Sequence, residues 1–342
     1  MSRFVFSLAI FAAIAAGAMA PLPAHAQGEV NVYTTREPKL IQPLFDLFTK
    51  ETGIKVNSIF IEKGMAERVA AEGANSPADI LMSVDIGNVL DSVARGVTQS
   101  VQSEALNAAI PANLRDKDGH WFALSLRARL FYVSKDRVKD TALTYADLAD
   151  PKWKGKVCIR SGQHPYNTAL IAAYINHYGE EKAEAWLKGI KANLARRPAG
   201  GDREVARDIL GGICDIGVGN SYYVGLMRGR KNEEQNKWGA AINVILPTFP
   251  GGGTHVNISG ASVAKNAPNK ANAIKLLEFL LSPEAQAAYA KVNYEYPVRP
   301  SAQIDPIIAA LGTLKTDEID LRAIAKNRKL AAQLADKVGF DQ

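Results

Sequence analysis

Two cysteines and five histidines are all that this chain of 342 residues offers to thiolate or imidazole chemistry. Cys158 and Cys214 stand too far apart for a thiolate metal motif, whose ligands recur at short spacings. His164, His177 and His255 fall at no ligand spacing and read as surface or hydrogen-bonded structural residues. No Gly-x-Ser-x-Gly occurs, so nothing signals a nucleophile elbow. Gly251-Gly252-Gly253 lacks the Lys-Ser/Thr of a phosphate loop, and hinge freedom explains it better. The lysines and arginines are scattered and lack the interleaved aromatics of a nucleic-acid platform, so nucleic acid is excluded as a partner. After residue 26 no run is long and apolar enough to cross a membrane.

Residues 1–26, by contrast, have the layout of a secretory leader. Arg3 precedes an apolar stretch from Phe4 to Ala20, helix-breaking Pro21 and Pro23 follow, and Ala24-His25-Ala26 forms a small-x-small cleavage site, so removal after Ala26 is expected. About 316 residues remain, and with 47% hydrophobic content over the full chain they suffice for two lobes with their own cores. Removing the leader takes one arginine and no acid from a net charge of +6, leaving +5, a mild bias toward anionic ligands. In an oxidising location an isolated cysteine pair is expected to be bonded. Cys158 and Cys214 each sit in a short apolar run, 156–160 and 213–218, which two neighbouring strands could bring together.

The hydrophobic periodicity alternates strand and helix. A strand at Val30 to Tyr33 leads to a helix from Lys39 to Thr52, stopped by Gly53, and then to the near-strict alternation of Ile54 to Phe60. Helices at Met65 to Gly73 and Gly87 to Arg95 flank a strand at Asp79 to Val84, the βαβ rhythm of a largely parallel sheet. Trp121 to Val133 reads as a strand crossing between lobes. A second set follows: a strand at Lys156 to Ile159, helices at Thr168 to His177, Glu180 to Leu194 and Arg203 to Leu210, and a strand at Cys214 to Val218. Ile242 to Pro247 is expected to cross back, ahead of a strand at Val256 to Ser262 and a helix at Lys270 to Leu281. The fold class is α/β, with a first lobe of residues 27–124 plus 250–300 and a second of 125–249 plus 301–342.

One segment resists a purely structural reading. In Gly219-Asn220-Ser221-Tyr222-Tyr223 two tyrosines follow a buried strand directly. Neighbouring side chains point to opposite faces of a strand and diverge by about 100° on a helix, so both phenols can aim at one point only from a turn or a helix start. Gly-Asn-Ser supplies such a turn. Surface packing of an aromatic doublet and ligand binding both fit this pattern.

Longer motifs carry a resemblance that covers nearly all of the mature chain. Thr144 to Val157 (Thr-Tyr-Ala-Asp-Leu-Ala-Asp-Pro-Lys-Trp-Lys-Gly-Lys-Val) resembles the second-lobe opening of periplasmic solute-binding proteins of ABC importers. Leu281 to Ala287 and Tyr296 to Pro300 resemble the late helix of that family and the segment after it. Within the family, Arg160 to Asn167 and Gly219 to Tyr223 are similar to the ferric-iron-binding proteins. The resemblance implies a class II periplasmic binding protein fold, a monomer in the periplasm that serves an inner-membrane ABC permease, and a carrier rather than an enzyme. It further implies that Tyr166, Tyr222 and Tyr223 bind Fe(III) as phenolates.

The family's usual first-lobe ligands are missing. Many ferric-binding members place an arginine, a histidine and a tyrosine after the first strand, whereas Thr34-Thr35-Arg36-Glu37-Pro38 keeps only the arginine. A synergistic anion, carbonate by preference, is expected to complete the coordination, held by Arg36 and by Arg127, with Arg129 the second choice on the same strand face. Glu37 and Tyr33 are weaker ligand candidates. A carrier of an organic cation or oxyanion, and an exported metal-dependent enzyme, are the competing functions.

Overall fold

The computed structural model describes residues 28–342; the leader and its cleavage after Ala26 lie outside the described residues. Among the described residues ten strands are formed: β1 (Glu29–Thr34), β2 (Lys55–Phe60), β3 (Ile80–Ser83), β4 (Thr98–Gln99), β5 (Phe122–Ser134), β6 (Val157–Cys158), β7 (Ile216–Asn220), β8 (Ile242–Ile245), β9 (Val256–Ala264) and β10 (Tyr296–Pro297). The first βαβ unit shows how local sequence sets the pattern. After β1, Pro38 occupies the first turn of the helix Pro38–Thr52, where its missing N–H costs nothing, and Gly53 ends that helix at φ 72. Ile41, Leu44, Phe45 and Phe48 form the face buried on the sheet.

The central strand is β5, with thirteen residues that are all buried. Its first half, through Ala128, pairs antiparallel with β9 in a sheet that continues through β3 and β1 to β2. Its second half, from Arg129, pairs antiparallel with β7 on one side and β8 on the other, and β6 lies parallel beyond β7. One strand thus belongs to two sheets and carries the chain from one lobe to the other.

Three features depart from the pattern expected of the sequence. Both sheets are mixed, because β5 and β9 cut antiparallel across the parallel pairs β1 with β2, β1 with β3 and β6 with β7. The return to the first sheet is not made along 242–247. Residues Ile242–Ile245 remain in the second sheet, and the chain makes a tight turn at Gly251 (φ 89) and Gly252 (φ 85) before β9, which runs along β5 in the same sense as β8. A C-terminal helix, Leu321–Lys337, packs on the helix Pro165–Tyr178 and also reaches the helix Ile86–Ala94, where Arg328 forms an ion pair with the N-cap residue Asp85.

Cys158 and Cys214 form a buried disulfide with Cα atoms 5.8 Å apart. It links β6 to the segment that enters β7. Among the described residues no helix is long and apolar enough to cross a membrane.

Candidate metal centre

In open α/β sheets ligands gather at the carboxyl ends of parallel strands, where the following helices begin. Beyond β7 the chain turns at Asn220 straight into the helix Ser221–Gly229, which places Tyr222 and Tyr223 in its first turn. Beyond β6 the loop 159–164 leads into the helix Pro165–Tyr178, and Tyr166 is its second residue. His164 caps that helix, its Nδ1 accepting the Tyr166 backbone N–H at 3.2 Å. Two helix starts, with their outward N–H groups and positive ends, therefore face one another across a short gap.

The phenols meet in that gap. The hydroxyls of Tyr166 and Tyr222 are 3.4 Å apart, and the rings of Tyr222 and Tyr223 lie 4.1 Å apart at 33°. Tyr222 is buried, whereas Tyr166 and Tyr223 are half-exposed. Guanidinium groups surround them: those of Arg160, Arg127 and Arg129 lie 5.3, 5.6 and 6.0 Å from the Tyr166 ring, and that of Arg203 lies 5.6 Å from the Tyr223 ring. Burial, then the neighbouring phenols of Tyr166 and Tyr223, push the Tyr222 hydroxyl well above its ordinary pKa. Burial and Tyr166 push Tyr223 up to about 12. Burial and then Arg160 hold the beside-lying His164 down to about 4, so its imidazole is neutral at pH 7.

Among the described residues no group of three or more His, Cys, Asp or Glu side chains is placed to hold a metal ion. The tyrosines are the concentrated donor set.

The first-lobe wall is built differently. The Nη1 of Arg36 lies 2.8 Å from Glu295 Oε1, and its Nη2 donates to Ser259 Oγ at 2.5 Å and to Glu295 Oε2 at 3.1 Å. Arg127 donates to Ser259 Oγ at 3.1 Å, to the Ile258 carbonyl at 2.8 Å and to the Val84 carbonyl. The Nε of each is buried without a protein partner. Arg129 is spent on Asp202, Asn220 and Asn167. Glu37 is exposed at the start of its helix and caps nothing with its side chain. Tyr33 is buried in a separate cluster, its hydroxyl donating to Glu72 at 2.9 Å and its ring lying under Arg68.

The structure thus brings Tyr166, Tyr222, Tyr223, Arg127 and Arg129 together, holds Tyr33 in a separate cluster with Glu72, and leaves the Glu37 side chain exposed. Two polar residues of the site were not singled out from sequence. Glu295 is wholly buried, and its signal is an acid inside the apolar segment Tyr294-Glu295-Tyr296. Asp202, after a double glycine, reads from sequence as an ordinary helix-start acid.

Residues 75–317 match the family model described as bacterial extracellular solute-binding protein. The chain belongs to that family. Iron uptake protein A1 of Synechocystis sp. is 40% identical to this solute-binding protein over 319 residues, 92% of this chain and 88% of its own. The solved structure of a Bordetella ferric binding protein is 62% identical with a TM-score of 0.88, covering 92% of this chain and 100% of its own. A Trichodesmium protein solved in complex with iron and citrate ligands is 43% identical with a TM-score of 0.87, covering 92% of this chain and 100% of its own. These relatives are iron-uptake and iron-binding proteins rather than enzymes, and the two-lobed solute-binding fold is theirs and this chain's.

Proposed function

We propose that this solute-binding protein captures Fe(III) in the periplasm through the phenolates of Tyr166, Tyr222 and Tyr223 and delivers it to an inner-membrane ABC permease, acting as a monomer. The observation that carries the reading is the convergence of three phenols from two helix starts, with hydroxyls of Tyr166 and Tyr222 3.4 Å apart. Fe(III) is a hard, highly charged acid that prefers anionic oxygen to thiolate or imidazole. Three phenolates offset its three charges, so the complex enters a partly desolvated cleft nearly neutral. The raised phenol pKa values mean that the metal itself displaces the protons.

Three phenolates leave coordination positions open, and an anion, carbonate by preference, fills them. That the Trichodesmium relative was solved with both iron and citrate ligands is in keeping with an anion accompanying the metal. Arg127 and Arg36 are its supports on the first-lobe wall. Their η nitrogens already serve Ser259 and, for Arg36, Glu295, so the anion takes an Nε or displaces the Ser259 contact. By this account iron capture draws the lobes together, and the permease reopens them.

Titrating the iron-free protein with ferric citrate tests this reading. An orange to red phenolate-to-iron band should grow to a plateau at one iron per chain. A protein that stays colourless and retains no iron on gel filtration contradicts it.

A further inference from the structure

The two tyrosine-bearing helix starts are tied together by a single buried guanidinium. Arg129 sits on β5 opposite Asn220 of β7. Its Nη2 donates to Asn167 Oδ1 at 2.6 Å, and Asn167 directly follows Tyr166. Its Nη1 donates to Asn220 Oδ1 at 3.1 Å, and Asn220 stands at the N-cap position of the helix carrying Tyr222 and Tyr223. The same Nη1 lies 2.5 Å from Asp202 Oδ2. That carboxylate oxygen also accepts the Asn220 backbone N–H at 2.8 Å, and Oδ1 accepts Arg160 Nη1 at 3.3 Å. Asn167 in turn donates to the carbonyls of Arg160 at 2.9 Å and Ser161 at 3.0 Å, in the loop that leads to Tyr166. Arg129, Asp202, Asn167 and Asn220 are each no more than 3% exposed.

We infer that Arg129 and Asp202 are positioning residues of the metal site, setting the distance between Tyr166 and the Tyr222-Tyr223 pair; this rests on the ferric reading above. The two helices leave from the neighbouring strands β6 and β7, and beyond that short ladder no backbone hydrogen bond among the described residues joins the two first turns. A planar guanidinium with separate η nitrogens reaches both asparagines in fixed geometry, which a lysine ammonium cannot reproduce. Asp202 balances the buried cation and grips the Asn220 backbone, so the cap residue is held by its N–H and its side chain together. Both η nitrogens of Arg129 are committed to the brace, and only its Nε, like those of Arg36 and Arg127, has no protein partner. Three phenolates bind one ion well only at one spacing, and pre-setting that spacing removes an ordering cost from binding.

Arg129→Lys and Asn167→Ala, made in the full mature protein, test the assignment. For each, the circular dichroism and thermal midpoint of the iron-free protein are measured, then ferric affinity by competition with citrate and the wavelength of the phenolate band. The expected result is a folded variant with affinity down by about tenfold or more, the scale on which outer ligands act, and a shifted or broadened band. A folded variant with wild-type affinity and band overturns the positioning role and leaves the ferric reading standing. Should Arg129→Lys not fold, Asn167→Ala decides, because it leaves the Arg129 to Asp202 pair in place. A wild-type protein without the band sinks the ferric reading itself, and this assignment with it.

Discussion

Glu295 grips Arg36 with both carboxylate oxygens, Nη1 to Oε1 at 2.8 Å and Nη2 to Oε2 at 3.1 Å, across 259 residues of sequence. Arg127 approaches the same Oε1 at 3.9 Å, and the Ser125 hydroxyl donates to Oε2. The pair fastens the turn after β1 to the segment just before β10. It also places an internal carboxylate where two arginines would otherwise face the cleft unpaired.

Replacing Glu295 by alanine should therefore cost more than its size suggests. Leaving a buried guanidinium unpaired is expected to lower unfolding stability by about 3–5 kcal/mol, read from urea midpoints. Burial disfavours the Glu295 carboxylate, yet Arg36 and then Arg127 outweigh it and hold the pKa below the ordinary value. A depressed folded pKa gives a contribution that is full above the unfolded value of about 4.3 and is lost as pH falls through the folded one. Stability of the wild type should thus decline more steeply in acid than that of Glu295→Ala. Parallel acid profiles would show that the pair contributes nothing.

Reducing the disulfide should loosen the second lobe without removing the site. The bond spans a sequence separation of 56, and a loop of that size implies roughly 4 kcal/mol in the chain-entropy model. The double variant Cys158→Ala with Cys214→Ala should lose about that much stability in guanidinium denaturation. An unchanged midpoint would mean that the native packing of β6 against β7 carries the stability alone.

Acid should compete with iron. Burial raises Tyr222 and Tyr223 in the empty site, so both are protonated at neutral pH and must lose protons on loading. Apparent ferric affinity, corrected for the competing chelator's own protonation, should fall by more than about tenfold per pH unit on acidification, since more than one proton is displaced. A slope of tenfold or less would limit the ionising phenols to one.

Much of this molecule is legible in the sequence, for identifiable reasons. The helix Pro38–Thr52 carries its start in Pro38 and its stop in Gly53, and the alternation of β2 needs no tertiary information. Tyr222 and Tyr223 stand out because few backbone arrangements let adjacent phenols converge. The disulfide followed from an isolated cysteine pair in two apolar runs. Strand sense was not legible, because β5 and β9 read equally well as parallel or antiparallel partners. Arg36, Arg127 and Arg129 were equally opaque. Their types suited an anion, but each one's use depends on Glu295, Ser259 or Asp202, distant residues that only the fold brings near.

Phenolate ligation is tested most directly by the ferric titration of Tyr222→Phe. Removing one hydroxyl from a buried ring leaves the packing against Tyr223 in place and takes away a ligand. The expected result is a band that is lost or clearly shifted and an affinity lowered by more than about 100-fold, beyond the reach of an outer-ligand change. A variant that binds iron with the wild-type spectrum and affinity would contradict it.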